Sequence, residues 1–278
     1  MKVITDNEIL IRLLFFFGAL AVVGVWEVIS PRRSLTCSRL KRWPSNLSMA
    51  VLNTFILRLI VPTTAIGFAF LVNERSWGLL SQVDLSVSIE IILSVLLLDL
   101  AIYLQHVAFH RVPILWRVHR THHADLDVDV STGARFHPIE IIISMGFKFA
   151  VIALVGVPAV AILIFEVLLN ATAMFNHGNI FLGSKVDRFL RTLVVTPDMH
   201  RIHHSIFPEE TNSNFGFNLP WWDRMFGTYR PNSKVDQRKM TIGLEIFRDG
   251  KYSRLNWLLV LPFLSDKKNS TNQNSNFP

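Results

Sequence analysis

HPIEIIISMGFKFAVIALVGVPAVAILIFEVLLNATAMFNH, residues 137–177, is an apolar stretch bracketed by two histidines. Its inner 37 residues, Ile139 to Phe175, make about twice one bilayer crossing at ~1.5 Å per residue, and Gly156 and Pro158 stand near the middle. The pattern predicts two short arms joined by a bend, running in and back. Such a hairpin returns His137 and His177 to one face of the membrane, whereas a single long span separates them.

Upstream lie three more apolar runs. Ile9 to Ile29 is interrupted only by Arg12 and Glu27, Leu47 to Val72 only by Arg58, and Val87 to Leu104 holds Glu90 and Asp99. The first is read as a retained anchor rather than a cleaved signal, because it is long and continues into Trp26 and Glu27. An acid inside a span, such as Asp99, marks function by default. Arg32, Arg33, Arg39, Lys41 and Arg42 fill the first loop without an acid, so that loop is expected in the cytoplasm and the amino terminus outside. The region from about His106 onward, apart from the hairpin, then faces the cytoplasm.

Composition agrees with a membrane chain. Half of the 278 residues are apolar and 18% are charged, where a soluble domain carries about 25%. The net charge of +7 sits beside apolar runs, which favours an anionic lipid surface and argues against nucleic acid. Downstream, Lys185 to Val195 reads as an amphipathic piece on the membrane surface, Leu255 to Leu264 is too short to cross, and the Asn- and Ser-rich tail from Lys267 is expected to be disordered. The fold class is therefore all-α: an integral membrane bundle of two anchor spans, a third span and a Pro-bent hairpin, with a cytoplasmic helical cap. The expected divisions are 1–86, an anchor region; 87–230, the chemical domain; and 231–278, an interfacial segment with the tail.

All ten histidines fall between His106 and His204. His106 and His110 are four apart, and His119, His122, His123 and His200, His203, His204 each follow H-x-x-H-H. Positions i, i+3 and i+4 share a helix face, so each set is expected to aim its imidazoles at one point. A lone histidine such as His137 or His177 is ordinarily a hydrogen-bonded core or surface residue. Eight in three clusters flanked by apolar runs are another matter, since a buried imidazole without a partner costs about 1–3 kcal/mol and a bound metal removes that penalty. One ion takes four to six ligands, so eight to ten imidazoles point to two. Zinc, iron, copper and nickel all accept imidazole. The single cysteine, Cys37, excludes an intrachain disulfide and a four-thiolate site made by this chain alone.

The segments DLAIYLQHVAFH, HRTHH, STGARFHPIE, NHGN, TPDMHRIHH and NFGFNLPWWDRMFGTY, spanning about Asp99 to Tyr229, resemble the sterol desaturase and fatty acid hydroxylase superfamily of membrane non-haem di-iron enzymes. The resemblance implies ligands His106 and His110 in the first box, His119, His122 and His123 in the second, and His200, His203 and His204 in the third. His177 matches the additional histidine after the hairpin, and His137 the H-P element, taken here as a tenth ligand. Val107 departs from the pattern, standing where many members have Arg. Helical spacing adds supporting candidates around the ligands: Asp99 and Tyr103 share a stripe with His106 and His110, and Asp99 is expected to accept an imidazole N–H. Asn176, Asp198, Asp125, Asp127 and Asn179 are similar candidates. Trp221 to Arg224 reads as structural or interfacial.

The resemblance further implies two iron ions, with zinc possible in a purified form, O2 as cosubstrate, and a membrane lipid (fatty acyl, sterol or isoprenoid) as substrate. Hydrogen leaves an unactivated C–H bond; returning OH gives an alcohol, and removing a neighbouring hydrogen gives a double bond. No residue chooses between hydroxylase and desaturase, nor between a bacterial inner membrane and the endoplasmic reticulum. Electrons are expected from a separate donor, cytochrome b5-like or a ferredoxin and its reductase. A zinc hydrolase is the alternative enzyme class, disfavoured by the lack of an H-E-x-x-H base. A non-enzymatic metal or haem carrier is the alternative outside enzymes.

Overall fold

The computed structural model describes residues 7–266; the tail from Lys267 lies outside them. Every regular element among the described residues is helical, apart from two isolated bridges, Pro31 with Ile180 and Ser205 with Ile242. Five segments are long and apolar enough to cross a membrane, so the chain is a multi-pass membrane protein.

The first run forms α1 (Glu8–Ile29). The second differs from its reading. The region is not one unbroken helix but α2 (Arg39–Ile60) and α3 (Ala65–Glu74), divided at 61–64. Pro62 has no N–H to donate and pushes Val61 out of the helical region (φ −103°, ψ 114°), so the helix stops there. Thr64 restarts it by accepting the Gly67 N–H at 3.0 Å. At its other end α2 begins at Arg39, so Arg39, Lys41 and Arg42, read as loop, are helical.

α4 (Val87–Arg111) continues seven residues beyond the apolar run and so carries His106 and His110 out of it. Val112 is extended before Pro113, and α5 (Pro113–His123) turns back across the bundle.

The hairpin is present as α6 (Pro138–Val155) and α7 (Ala159–His177), but its arms are not short. At 18 and 19 residues each is long enough to cross by itself. Nor do the arms pack along each other, because α3 and α4 lie against both. Gly156 makes the bend with φ +80°, in the left-handed region that Gly adopts without Cβ strain. Gly78, at φ +97°, packs on it so closely that a Cβ there would sit 2.1 Å from the Gly156 nitrogen. Gly78→Ala should therefore cost about 2 kcal/mol or more and lower the thermal midpoint by roughly 4–8 °C, read by intrinsic fluorescence in detergent. The metal-binding capacity should survive, since the histidines lie at the other ends of both arms.

α7 is the most enclosed span, half buried along its apolar window, and α1 the least, at 6%. Ile162 and Phe165 of α7 meet Ala65, Ile66, Ala69 and Val72 of α3, Leu98 of α4 and Ile152 of α6 in the main apolar cluster. Outward-facing Leu13, Leu14, Val51, Phe55, Ile92, Leu154 and Ile164 stay exposed, the surface a lipid solvent requires. Inside the apolar layer Glu166 of α7 bonds Lys148 of α6 at 2.6 Å and Arg12 of α1 at 3.1 Å, pinning three helices.

The cap sits at the end of the bundle where α4 and α7 finish. It comprises α5, α8 (Ser184–Leu190), α9 (Pro197–His203), α10 (Pro208–Thr211), α11 (Trp221–Met225) and α12 (Leu255–Val260), with the loops between. Leu255 to Leu264 is a short helix and turn, as its length predicts.

Candidate metal centre

Four helices deliver nine histidines to one place. His106 and His110 come from the last turns of α4, His119, His122 and His123 from α5, His177 from the end of α7, and His200, His203 and His204 from α9 and its carboxyl cap. α9 is started for this by Pro197 at its first position and by Thr196, whose hydroxyl accepts the Met199 N–H at 3.4 Å.

The nine fall into two groups, His106, His110, His119, His123 and His203, and His122, His177, His200 and His204; within each group the candidate ligand atoms lie within 4.8 Å of one another. The H-x-x-H-H boxes therefore do not each aim at one point. In both, the first and last histidines share a group and the middle one serves the other. Helix geometry explains the split: i and i+4 are about 40° apart, whereas i+3 lies about 60° to the opposite side. The groups abut, with the His123 and His204 rings 4.6 Å apart and those of His200 and His203 5.1 Å apart.

Most rings are held by one nitrogen and leave the other unpaired. Nδ1 faces the Phe215 carbonyl in His106 (2.7 Å), Glu140 Oε1 in His119 (2.7 Å), the Ser213 carbonyl in His203 (2.8 Å) and the Ala173 carbonyl in His177 (2.6 Å). Such contacts fix the tautomer with the proton on Nδ1 and leave the Nε2 lone pair free. Nε2 of His106, His119, His123 and His203 is buried with no hydrogen-bond partner, as are both nitrogens of His110. In the second group Nε2 of His177 lies 3.1 Å from that of His122, 3.1 Å from that of His200 and 3.2 Å from that of His204. One ring nitrogen carries one proton or one lone pair, so it cannot serve three such partners. Convergent, unpaired imidazole nitrogens fit a bound transition metal and little else.

Electrostatics agree. Burial, then repulsion from neighbouring histidines, drives His122, His123, His200 and His204 well below their ordinary value, and burial takes His203 down to about 3. These five imidazoles are therefore neutral, the state in which imidazole binds metal.

A second layer holds these helices in register. Arg42 of α2, fully buried, grips Asp125 with both Nε (2.7 Å) and Nη2 (2.9 Å) and reaches Asp129 with Nη1 at 2.7 Å. Burial alone would raise the Asp125 carboxyl, but Arg42 and Arg135 outweigh it and hold the group well below the usual carboxylate range. Arg135 donates to the Thr121 carbonyl at 2.9 Å, and its own carbonyl lies 3.3 Å from His122 Nδ1. Glu27 of α1, also fully buried, accepts from Val130 N (2.6 Å) and Asn179 N (2.8 Å).

The remaining sequence candidates lie elsewhere than expected. His137 stands apart from both groups: its Nδ1 caps α6 by accepting from Ile139 N at 3.2 Å, and its Nε2 faces the Leu259 carbonyl at 3.2 Å. Asp99 meets no imidazole, because it lies two helical turns before His106; it accepts instead from Asn218 Nδ2 (2.7 Å), Trp222 Nε1 (2.8 Å) and Leu219 N (3.3 Å). Tyr103 bonds Thr228 at 2.9 Å, Asn176 donates to the Phe217 carbonyl at 3.0 Å, and Asp198 pairs with Arg32 at 3.0 Å and with Arg201. Asp127 caps Thr36 and Cys37, and Asn179 holds Arg33. Asp223 accepts from Phe215 N and Gly216 N, at 2.8 and 2.9 Å, and so steadies the loop whose carbonyl orients His106.

The carboxylate role expected of Asp99 is filled at His119 by Glu140. No sequence signal marked it, since it sits among apolar residues at the start of α6. Glu140→Gln should weaken metal binding about 10–100-fold, measured by chelator competition, because a charged acceptor that raises His119 basicity is replaced by a neutral one.

A bundle of apolar spans that ends in two abutting imidazole groups defines a membrane-embedded polyhistidine metalloprotein. Residues 91–228, just under half of the chain, match the fatty acid hydroxylase family model, which supports its place in the sterol desaturase and fatty acid hydroxylase superfamily. It is similar to ornithine lipid hydroxylase OlsE of Rhizobium tropici, 28% identical over 148 residues, which cover 52% of this chain and 44% of that protein. It also resembles alkylglycerol monooxygenases, at 29% over 151 residues for Xenopus tropicalis and 28% over 152 for Homo sapiens; each match covers 52% of this chain and 31% of the relative. The chain thus matches less than half the length of these relatives. No solved structure matches it.

Proposed function

We propose that the chain is an O2-dependent di-iron hydroxylase of a membrane lipid. What carries the reading is the pair of imidazole groups at the mouth of an apolar bundle, with unpaired Nε2 atoms in the first and Nε2 atoms facing one another in the second, within a family segment shared with lipid hydroxylases. His106, His110, His119, His123 and His203 would hold one ion and His122, His177, His200 and His204 the other, with His137 left out of the set. Two irons so held supply activation of O2 toward an unactivated C–H bond.

The chain's own residues prepare that chemistry. Glu140 and the carbonyls of Phe215, Ser213 and Ala173 fix the imidazole tautomers, and burial shields the rings from water. The overall change is RH + O2 + two electrons + two protons → ROH + H2O, so an external electron donor is required. Hydroxylation is preferred to desaturation because the similar proteins are a lipid hydroxylase and monooxygenases.

The histidine end is assigned to the cytoplasm, since the basic residues from Arg32 to Arg42 gather there and bond cap residues such as Asp198 and Asp125. Within this reading 87–230 carries the centre, 1–86 anchors it, and the segment from 231 closes the cap.

The test is metal analysis together with lipid profiling. Protein in nanodiscs of total lipid extract, given a reductase and ferredoxin, should contain two irons per chain and add one oxygen atom from O2 to a lipid. Turnover that persists without O2 in a protein holding two zincs would overturn the proposal and favour a hydrolase.

A further inference from the structure

Two aromatic side chains lie between the spans and the histidines. Phe136 stacks on His122, with ring centroids 4.5 Å apart and planes 9° from parallel, and lies 6.4 Å from His119. Phe217 lies 5.0 Å from His106 and 6.1 Å from His200. Each ring therefore touches one histidine of either group. Trp116 and Phe215, the other aromatics with several histidine contacts, touch only the five-membered group.

Both phenylalanines are on the bilayer side of the centre. The Phe136 carbonyl accepts from Asn53 of α2 at 2.8 Å, two helical turns deeper than Asn46, which bonds Ser131 of the cap network. After Phe217 the chain dips: Asn218 bonds Asp99, seven residues before His106 on α4, and Thr172, five before His177 on α7. Both rings remain partly uncovered, whereas eight of the nine histidines beyond them are buried.

An apolar chain rising between the spans meets these rings before any imidazole. Such a chain offers no hydrogen bond, so its register depends on contact with the walls alone.

We propose that Phe136 and Phe217 are positioning residues that hold a lipid's hydrocarbon chain across both imidazole groups and determine which carbon is oxidised. This rests on the lipid-oxidising reading above. Shrinking either ring lets the chain slide and changes the carbon presented, while the imidazoles keep their own tethers.

Phe136→Leu and Phe217→Leu retain most of the apolar volume and are compared with wild type in nanodiscs of total lipid extract. Metal content should be unchanged, and the ratio of positional isomers in the hydroxylated product should change by about fivefold or more in at least one variant. An unaltered isomer ratio in both overturns the proposal. A wild type without any O2-dependent lipid product instead refutes the lipid-oxidising reading. Placement is then read without turnover, and the same readout serves if a leucine variant loses metal. Zinc-loaded wild type is irradiated in nanodiscs containing a phosphatidylcholine with a diazirine in its acyl chain, and the adducts are mapped by mass spectrometry. Labelled peptides should contain Phe136 and Phe217. Adducts confined to the Trp116 peptide overturn the proposal, because the chain then approaches from the α4–α5 corner.

Discussion

His177→Ala should lower the metal content from two ions per chain to one and reduce turnover by more than about a hundredfold, the upper range for losing only a residue that orients a ligand. Its Nε2 is the point on which the second group converges, 3.1–3.2 Å from three other imidazoles. The remaining three offer one ion too few donors among these nine. The five-membered group shares no ligand with it and should keep its ion. Elemental analysis beside product formation checks both parts; two ions retained in the variant would contradict the grouping.

Arg42→Met should be the most destabilising single change outside the histidines. It leaves Asp125 and Asp129 buried with much of their compensating charge gone, for a loss of about 3–5 kcal/mol, or very roughly 10 °C in thermal midpoint. The damage should reach the centre, because Asp125 also bonds Thr132 and steadies the turn that leads to Arg135 and its contact with His122. Thermal unfolding followed by fluorescence, with metal content in parallel, tests this. A double change, Arg42→Met with Asp125→Leu, should recover part of the stability, since the uncompensated acid is then removed as well.

Some of this was legible residue by residue. The bend at Gly156 and Pro158 follows from φ preference and a missing N–H, which are local properties. The three histidine clusters follow from spacing on helices. Which histidine joins which group did not follow. That depends on α4, α5, α7 and α9 arriving from different directions, so that a ~100° rotation between His122 and His123 separates two imidazole groups rather than widening one. Arg42 was read only in part, for a similar reason. A basic residue between two apolar runs looks like a topology marker, and only the approach of α2 to the 125–132 turn makes it the counter-ion of buried acids. Asp99 missed the place expected of it because helical periodicity gives a face but not a depth: it is on the histidine face of α4, two turns too deep, and Glu140, which no spacing marked, meets His119 instead.

The sequence by itself determined that the chain is a multi-pass membrane protein and that its histidines cluster in a way that suits metal, because hydropathy and donor chemistry belong to residues wherever they stand. Only the tertiary structure decided the partition of nine histidines into five and four, the exclusion of His137, and the service of Glu140 and Arg42. Those are distances between segments up to about a hundred residues apart, set by packing, and no local pattern records them.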